Sequence, residues 1–186
     1  SPTILPTFAS GGDSYSFFTA STQFTGSNTV PASGMITLPF TVSDHFSITL
    51  WFSASSIINS TPDYLGMVRI DNFVLLLKDK KVGILENCAG SLGIVGYPLN
   101  ANQEYFVAVS KSGRSYKFCY NGGTLCGVLT MGMDCTYANT GAVGEGDARL
   151  QSITQNSHFQ GTMSKVSFHN EALTQPQIQA IKDQGP

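Results

Sequence analysis

Hydrophobic and polar residues alternate along short segments of this chain. The clearest segment covers residues 46–52, where Phe, Ile and Leu occupy the even positions and Ser, Thr and Trp51 the odd ones. Successive side chains of a β-strand point to opposite faces of its sheet, so alternation predicts a strand with one face in a core. Trp51 is therefore predicted to lie on the face opposite the core residues Ile48, Leu50 and Phe52.

Further β-type segments follow at short intervals. They cover residues 64–70, 73–77, 82–86, 106–110 and 115–120. The sequence Lys78-Asp79-Lys80-Lys81 separates two of them, and residues 111–114 separate two others, which is typical of hairpin turns. Strands at this spacing predict an all-β fold, a two-sheet antiparallel β-sandwich.

The one convincing helix signal lies at the end of the chain. Thr174 is a suitable N-cap, Pro176 falls in the first turn, and Ile178 and Ile181 lie three residues apart on one face. Gly185-Pro186 ends the run. A helix of about two turns is not stable alone, so we expect it to pack on the sheet.

The N-terminal residues 1–14 are rich in Pro, Gly and Ser and are predicted to form an arm or linker, which leaves residues 15–186 for the sandwich. Only 12% of the residues are charged and the net charge is −2. The chain lacks the basic patch typical of nucleic-acid binding. It also lacks an apolar run near the roughly 20 residues that span a bilayer, so we expect neither nucleic acid nor membrane insertion.

Four cysteines, Cys88, Cys119, Cys126 and Cys135, have no C-x-x-C spacing. An even number in a weakly charged β domain favours two disulfides and an oxidising compartment, with Cys126–Cys135 and Cys88–Cys119 as the preferred pairs. Free thiols in a cytosolic protein are the alternative. Asn59 begins the sequon Asn-Ser-Thr and agrees with secretion. Together these features predict an extracellular, cell-surface or virion-surface location.

Four stretches carry a resemblance to a known family. Residues 40–52 are similar to its F-S-I-S-F-W-F strand, residues 104–110 to W-H-H-V-A-V, residues 115–122 to L-K-L-Y-V-D-G, and residues 161–178 to its closing strand and capped helix. In this order they resemble the laminin G-like branch of the concanavalin A-like lectin and glucanase superfamily, over roughly residues 20–184. The resemblance implies a jelly-roll sandwich.

This sequence also departs from the family pattern. Tyr105-Phe106 replaces a Trp-His pair, and Ser164-Lys165 replaces an Asp-Glu pair. The ligand of the family therefore cannot be carried over to this chain.

Catalysis is not predicted. Glucanases of this fold use an E-x-D-x-x-E strand, whereas Glu145-Gly146-Asp147 is followed by residues 148–150 without a third carboxylate. This acidic patch also lies in a long Gly-rich segment, residues 122–147, and not in an apolar strand. We expect a binding module and not an enzyme.

Calcium is the cofactor that the resemblance leaves open, since many relatives bind Ca²⁺ at the rim of the sandwich. Hard cations take about 6–8 oxygen ligands, which carboxylates and amides in loops supply. The candidates in this chain are Asp63, Asp71, Asn72, Glu145 and Asp147. The alternative interpretation is that Asp63, Asp71 and Asn72 simply form turns.

Aromatic and cationic residues are the candidates for ligand contact. Trp51, with Tyr97 and Tyr137, can stack on a sugar ring, and Arg69 and Arg149 can bind a carboxylate. For Trp51 the alternative is packing beneath a loop. The favoured hypothesis is a lectin-like module for cell-surface or matrix glycan. The alternatives are a protein–protein adhesion or attachment domain of a larger surface or viral protein, and an accessory domain of a glycan-acting enzyme.

Overall fold

A computed structural model describes most of the predicted strands and the helix. The described residues are 3–4, 14–17, 21–25, 35–37, 42, 45–55, 65–71, 73–86, 91–95, 98–120, 125–131, 137–138, 140–144 and 159–186. Within these ranges, no helix combines the length and apolar character that a bilayer crossing requires.

The strands form two antiparallel sheets. The large sheet has the order β1-β2-β14-β5-β10-β11-β12, with β3 paired to β14. Its strands are β1 (Thr3–Ile4), β2 (Ser14–Phe17), β3 (Thr22–Thr25), β5 (His45–Ala54), β10 (Glu104–Ser112), β11 (Ser115–Tyr120), β12 (Leu125–Thr130) and β14 (Gln160–His169).

The small sheet has the order β4-β13-β6-β7-β8-β9. Its strands are β4 (Met35–Thr37), β6 (Leu65–Ile70), β7 (Phe73–Lys78), β8 (Lys81–Glu86), β9 (Ser91–Val95) and β13 (Thr140–Val143). The predicted two-sheet antiparallel sandwich with one short C-terminal helix is confirmed.

Two residues of the predicted N-terminal arm pair with the large sheet. Thr3 lies opposite Ser16 and Ile4 opposite Tyr15, so these two residues form an edge strand, and the division into residues 1–14 and 15–186 stays a prediction. Pairing of backbone groups depends little on side-chain type, which is why a Pro- and Ser-rich segment can supply it. Residues 5–13 lie outside the described residues.

Alternation along β5 works as the sequence predicts. Phe46, Ile48, Leu50 and Phe52 face the small sheet and are almost fully buried. The outward-facing Ser47 and Thr49 are also buried, because the C-terminal segment, residues 171–186, covers that side of the sheet. β5 therefore has the alternating sequence of a strand with one exposed face, yet both of its faces are covered for most of its length.

The predicted hairpin turns are also present. Lys78 pairs with Lys81, and the two residues between them, Asp79 and Lys80, have φ angles of 51° and 62°. Positive φ at both central positions is the geometry of the type I′ turn, which matches the twist of the paired strands. The Lys-rich sequence therefore makes a tight turn, as predicted.

The interior between the sheets is apolar and aromatic. Phe73 of β7 stacks on Tyr116 of β11, with 5.8 Å between the ring centroids, and Phe46 lies edge-on to Phe73. At one side of the sandwich the sheets come so close that a side chain at Gly93 of β9 would collide with Leu129 of β12. The aromatic pairs that Phe73 forms with Tyr116 and Phe46 each contribute about 1 kcal/mol beyond the area they bury.

A polar network is enclosed in this aromatic interior. Tyr137 donates a hydrogen bond to Glu86 on β8, and the hydroxyl groups of Tyr116 and Tyr137 are 2.7 Å apart. The Nζ of Lys111 lies 5.8 Å and 5.4 Å from the ring centroids of these two tyrosines. Since Tyr137 gives its one hydroxyl hydrogen to Glu86, Tyr116 donates to Tyr137. These four side chains form a charged cluster inside the sandwich.

The C-terminal helix α1 covers Gln175–Asp183 and begins as predicted. The side chain of Thr174 accepts a hydrogen bond from the backbone N–H of Gln177, and Gln177 accepts one from the backbone N–H of Thr174. This capping box satisfies backbone donors that a helix N-terminus leaves without helical partners. Ile178 and Ile181 are buried against the outer face of the large sheet, beside Phe106.

Candidate functional site

The outer face of the large sheet presents side chains in rows across β10, β5 and β14. In the strand register, Glu104, Ser53 and Thr162 form one row, and Phe106, Trp51 and Ser164 form the next. Directly opposed residues of antiparallel strands lie about 4.5–5.5 Å apart, so each row spans roughly 10 Å.

The C-terminal segment covers the part of this face that contains Ser47 and Ser110. Ser47 donates a hydrogen bond to the carbonyl of Glu171 and accepts one from the N–H of Leu173, while Ser110 donates to the carbonyl of Leu173. Leu173, Ile178 and Ile181 then pack on Phe106, Ala108 and Cys119. The rows that contain Ser47 and Thr49 are therefore buried.

The covered part ends at Trp51. Its ring packs edge-on against Phe106 and belongs to the apolar cluster beneath α1, yet it is only half-buried. The row beyond it carries the exposed Glu104 and the half-buried Ser53 and Thr162. Trp51 thus packs against Phe106, as one of the two interpretations predicts, and also lines open space, so its role in ligand contact stays a prediction.

A pocket of about 270 Å³ lies at this boundary. Its lining residues are Ser21, Trp51, Phe52, Glu104, Thr162, Ser164 and Pro186. The volume is slightly below the usual range of about 300–1,000 Å³ for small-molecule sites, so it suits a small ligand or one ring of a larger one. We call it the Trp51 pocket.

The end of the C-terminal segment forms one wall of the Trp51 pocket, and Lys165 contacts it directly. Lys165 donates hydrogen bonds from Nζ to the carbonyls of Gln184, at 3.3 Å, and Gly185, at 2.9 Å. Lys165 has a φ of 48° and lies at a bulge of β14 between Ser164 and Ser167. Bulges redirect side chains, and this one aims a cation at the carbonyl end of α1, where the helix dipole favours it.

Among the described side chains that line the Trp51 pocket, Glu104 is the charged one. Every lysine and arginine except Arg149 lies within the described residues, and none of those lines the pocket. Lys165 is the neighbour of Ser164, but its ammonium group contacts the two carbonyls described above. The polar side-chain groups of the described lining are therefore three hydroxyls, the indole N–H of Trp51 and one carboxylate.

The other predicted ligand residues do not join Trp51. Tyr137 lies in the interior with its hydroxyl bonded to Glu86, so its placement does not fit the predicted stacking on a ligand. Arg69 lies on β6 of the small sheet, between the core residues Val68 and Ile70, and so faces the opposite side of the sandwich. Tyr97 and Arg149 lie outside the described residues.

Of the predicted calcium ligands, Asp71 alone is described. Its Oδ2 accepts a hydrogen bond from the N–H of Ala138 at 3.0 Å, and its φ of 46° is typical of a turn. The part of the chain that the structure describes holds no group of three acidic, His or Cys side chains placed to bind a metal. Asp63, Asn72, Glu145 and Asp147 lie outside that part, so the calcium site stays a prediction.

The cysteines are described in part. Cys119 is fully buried and disulfide-bonded, and Cys126 lies directly opposite it in the ladder of β11 and β12. Three connectivities of the four cysteines are possible, and the Cα spacing of opposed residues falls within the range that a disulfide spans, so this register suits the one that pairs Cys119 with Cys126 and not the preferred pairs. Cys88, Cys135 and the sequon residue Asn59 lie outside the described residues. The pairing and the glycosylation remain predictions.

One histidine is enclosed beneath the C-terminal segment. His169 lies opposite Ser47 at the end of β14 and is fully buried. Burial disfavours the charged imidazolium and lowers the pKa of His169 from 6.5 to about 4. The neutral ring therefore belongs to the covered part of the face and not to the Trp51 pocket.

Sequence reasoning missed most of the Trp51 pocket. Glu104, Thr162 and Ser164 come from strands far apart in the sequence, and only the strand register brings them beside Trp51. Strand parity would have placed each on an outer face, but the alternation does not say which strands are neighbours.

The chain was compared with known proteins. No family model and no curated protein matches it. Among solved structures, it is similar to the botulinum neurotoxin serotype D binding domain, with a TM-score of 0.62 and 12% identity over 99% of this chain. It spans 46% of that neurotoxin chain, about half.

Two smaller proteins share the architecture. The heptameric SAP-like pentraxin from Limulus polyphemus has a TM-score of 0.61 and 14% identity, over 87% of this chain and 80% of its own. The carbohydrate-binding module CBM40 of the Ruminococcus gnavus IT-sialidase, solved with α2,3-sialyllactose, has a TM-score of 0.54 and 15% identity, over 74% of this chain and 82% of its own. These likenesses show the fold of the chain, a jelly-roll β-sandwich. They do not single out the laminin G-like branch.

Proposed function

We propose that this domain is a non-catalytic glycan-recognition module and that the Trp51 pocket binds the sugar. The observation that carries the proposal is the position of a half-buried indole at the edge of an open row of hydroxyls and one carboxylate. Rigid aromatic rings offer contact area at little entropic cost, and the C–H face of a sugar ring is the apolar surface that fits them.

Hydrogen bonding around the indole suits a polyhydroxylated ligand. Ser21, Thr162 and Ser164 carry hydroxyls that both donate and accept, and the carboxylate of Glu104 accepts. A sugar presents hydroxyls of both kinds within a few ångströms, so each can find a partner along the two rows. Loss of one neutral hydrogen bond between the sugar and the protein costs about 1 kcal/mol of binding free energy.

Two of the similar structures support this class of ligand. The CBM40 module was solved with sialyllactose, and a botulinum neurotoxin serotype D binding domain was solved with N-acetylneuraminic acid. At 15% identity or less the likeness shows the fold, so the ligand of this chain rests on its own residues. We further propose an extracellular, cell-surface or virion-surface setting, which the disulfide-bonded Cys119 supports.

The proposal is tested by a glycan array followed by titration calorimetry of the best ligand. Trp51→Phe keeps an aromatic ring against Phe106, whereas Trp51→Ala removes the platform. We expect Trp51→Ala to weaken binding by about tenfold or more, which corresponds to about 1.4 kcal/mol, and Trp51→Phe to weaken it less.

The matched control is Val128→Ala, because Val128 is 63% exposed on the edge strand β12. It should leave the affinity unchanged. Failure to bind any glycan would contradict the proposal. So would a folded Trp51→Ala variant that binds sugar as well as the parent protein.

A further inference from the structure

The charge of the Trp51 pocket has a consequence for the kind of sugar, which rests on the proposed function. We infer that the pocket selects uncharged sugar residues, such as neutral hexoses and N-acetylhexosamines, and disfavours sugars that carry a carboxylate. Two similar structures were solved with N-acetylneuraminic acid or sialyllactose, which are acidic, so the inference separates this chain from them.

A ligand in the Trp51 pocket lies near the negative charge of Glu104. Glu104 begins β10, is exposed, and lies in one row with Ser53 and Thr162. Glu104 is the diagonal cross-strand neighbour of Trp51, and such positions lie roughly 7–8 Å apart, so a ring stacked on Trp51 lies near this carboxylate. At that distance an anionic ligand is repelled, and water and salt screen the repulsion only in part.

A cation in contact with an acidic ligand would be needed to offset the repulsion from Glu104. A carboxylate ligand normally requires an arginine or lysine in bidentate or direct contact. Among the described residues, no such side chain lines the Trp51 pocket. Lys165, the basic neighbour of Ser164, donates to the carbonyls of Gln184 and Gly185. Moving its ammonium group to a ligand would break these hydrogen bonds to the end of the C-terminal segment.

Glu104 favours ligands that donate hydrogen bonds from neutral hydroxyl groups. A carboxylate accepts hydrogen bonds from two adjacent hydroxyls, and charge-assisted bonds of this kind are about twice as strong as neutral ones. Thr162 and Ser164 supply further hydroxyls on the opposite side of β5. A neutral sugar ring therefore donates to Glu104 and exchanges hydrogen bonds with the serine and threonine side.

The test is an array of neutral oligosaccharides of hexose and N-acetylhexosamine, each paired with its α2,3-sialylated form. The best pair is then titrated in solution. We expect the neutral member to bind about tenfold more tightly than its partner when the acidic residue occupies the pocket. The difference should shrink as salt is raised, because the repulsion is screened.

Two variants sharpen the test. Glu104→Lys should invert the preference, weakening neutral ligands and strengthening the acidic partner by about tenfold. Ser112→Lys is the control, because Ser112 is exposed at the other end of β10, eight residues or roughly 26 Å from Glu104. It should leave the preference unchanged.

The outcomes separate this inference from the proposed function. Trp51-dependent binding that prefers the sialylated member, or a Glu104→Lys variant with the parent's preference, would overturn the inference and leave glycan binding intact. Absence of Trp51-dependent binding to every member of the array would overturn both.

Discussion

The ring of Trp51 packs edge-on against the ring of Phe106, with 5.3 Å between their centroids and 61° between their planes. These residues are directly opposed on β5 and β10, at the line where the C-terminal segment stops covering the large sheet. Phe106 is buried and Trp51 is half-exposed. The pair thus fixes the orientation of an indole whose free edge borders the Trp51 pocket, and a fixed ring loses little entropy when a ligand stacks on it.

The covering segment depends on its helix cap. Thr174→Ala removes the side-chain acceptor of the capping box, and we expect it to lower the free energy of unfolding by about 1 kcal/mol. Chemical denaturation followed by circular dichroism measures this change. Thr174→Ser keeps the hydroxyl and should lie near the parent protein, and equal losses for both variants would contradict the role of the cap.

Removal of the Tyr137 hydroxyl from the charged cluster inside the sandwich should lower the free energy of unfolding more than the loss of an ordinary hydrogen bond does. Tyr137→Phe removes a hydrogen bond to Glu86 and an acceptor for Tyr116, and we expect it to destabilise the fold by about 2–3 kcal/mol. Denaturant unfolding of the variant measures the loss.

The comparison is Tyr105→Phe, because the hydroxyl of Tyr105 accepts one neutral hydrogen bond, from the N–H of Asn100. It should cost about 1 kcal/mol. If the two variants were equally stable, the cluster around Glu86 would not have the role described for it.

The enclosed histidine predicts how stability changes with pH. The pKa of His169 is about 4 in the folded protein and 6.5 as the ordinary value, so between these limits the unfolded chain binds a proton that the folded chain does not. Its contribution to stability is fully present above pH 6.5 and is lost as the pH falls towards 4, by about 3 kcal/mol in total.

This pH dependence is measured as the unfolding free energy of the parent and of His169→Gln at several pH values. The slope between pH 6.5 and 4 should be smaller in the variant. An unchanged slope in His169→Gln would contradict the assignment.

Local patterns in the sequence predicted the local structure well. The alternation of residues 46–52 fixed which side chains of β5 face the core and put Trp51 on the outer face. Thr174, Pro176 and the two isoleucines predicted α1 and its cap, because capping and helix periodicity act within a few residues. Such rules need no knowledge of distant parts of the chain.

Relationships between distant residues escaped prediction. Tyr137 lies in no strand, so no alternation indicated that it enters the interior. The pairing of Glu104 and Thr162 across Ser53 depends on which strands are neighbours and in which register. The sequence thus supplied Trp51 as a candidate but not the hydroxyls and the carboxylate around it.

The most direct test of the central claim uses the fluorescence of the protein itself, because Trp51 is its only tryptophan. Titration with the neutral oligosaccharide selected on the array should shift or quench the indole emission, and the change should saturate at the dissociation constant found by calorimetry. If that sugar binds by calorimetry but the emission of Trp51 does not change, the sugar lies elsewhere and the account of the Trp51 pocket is contradicted.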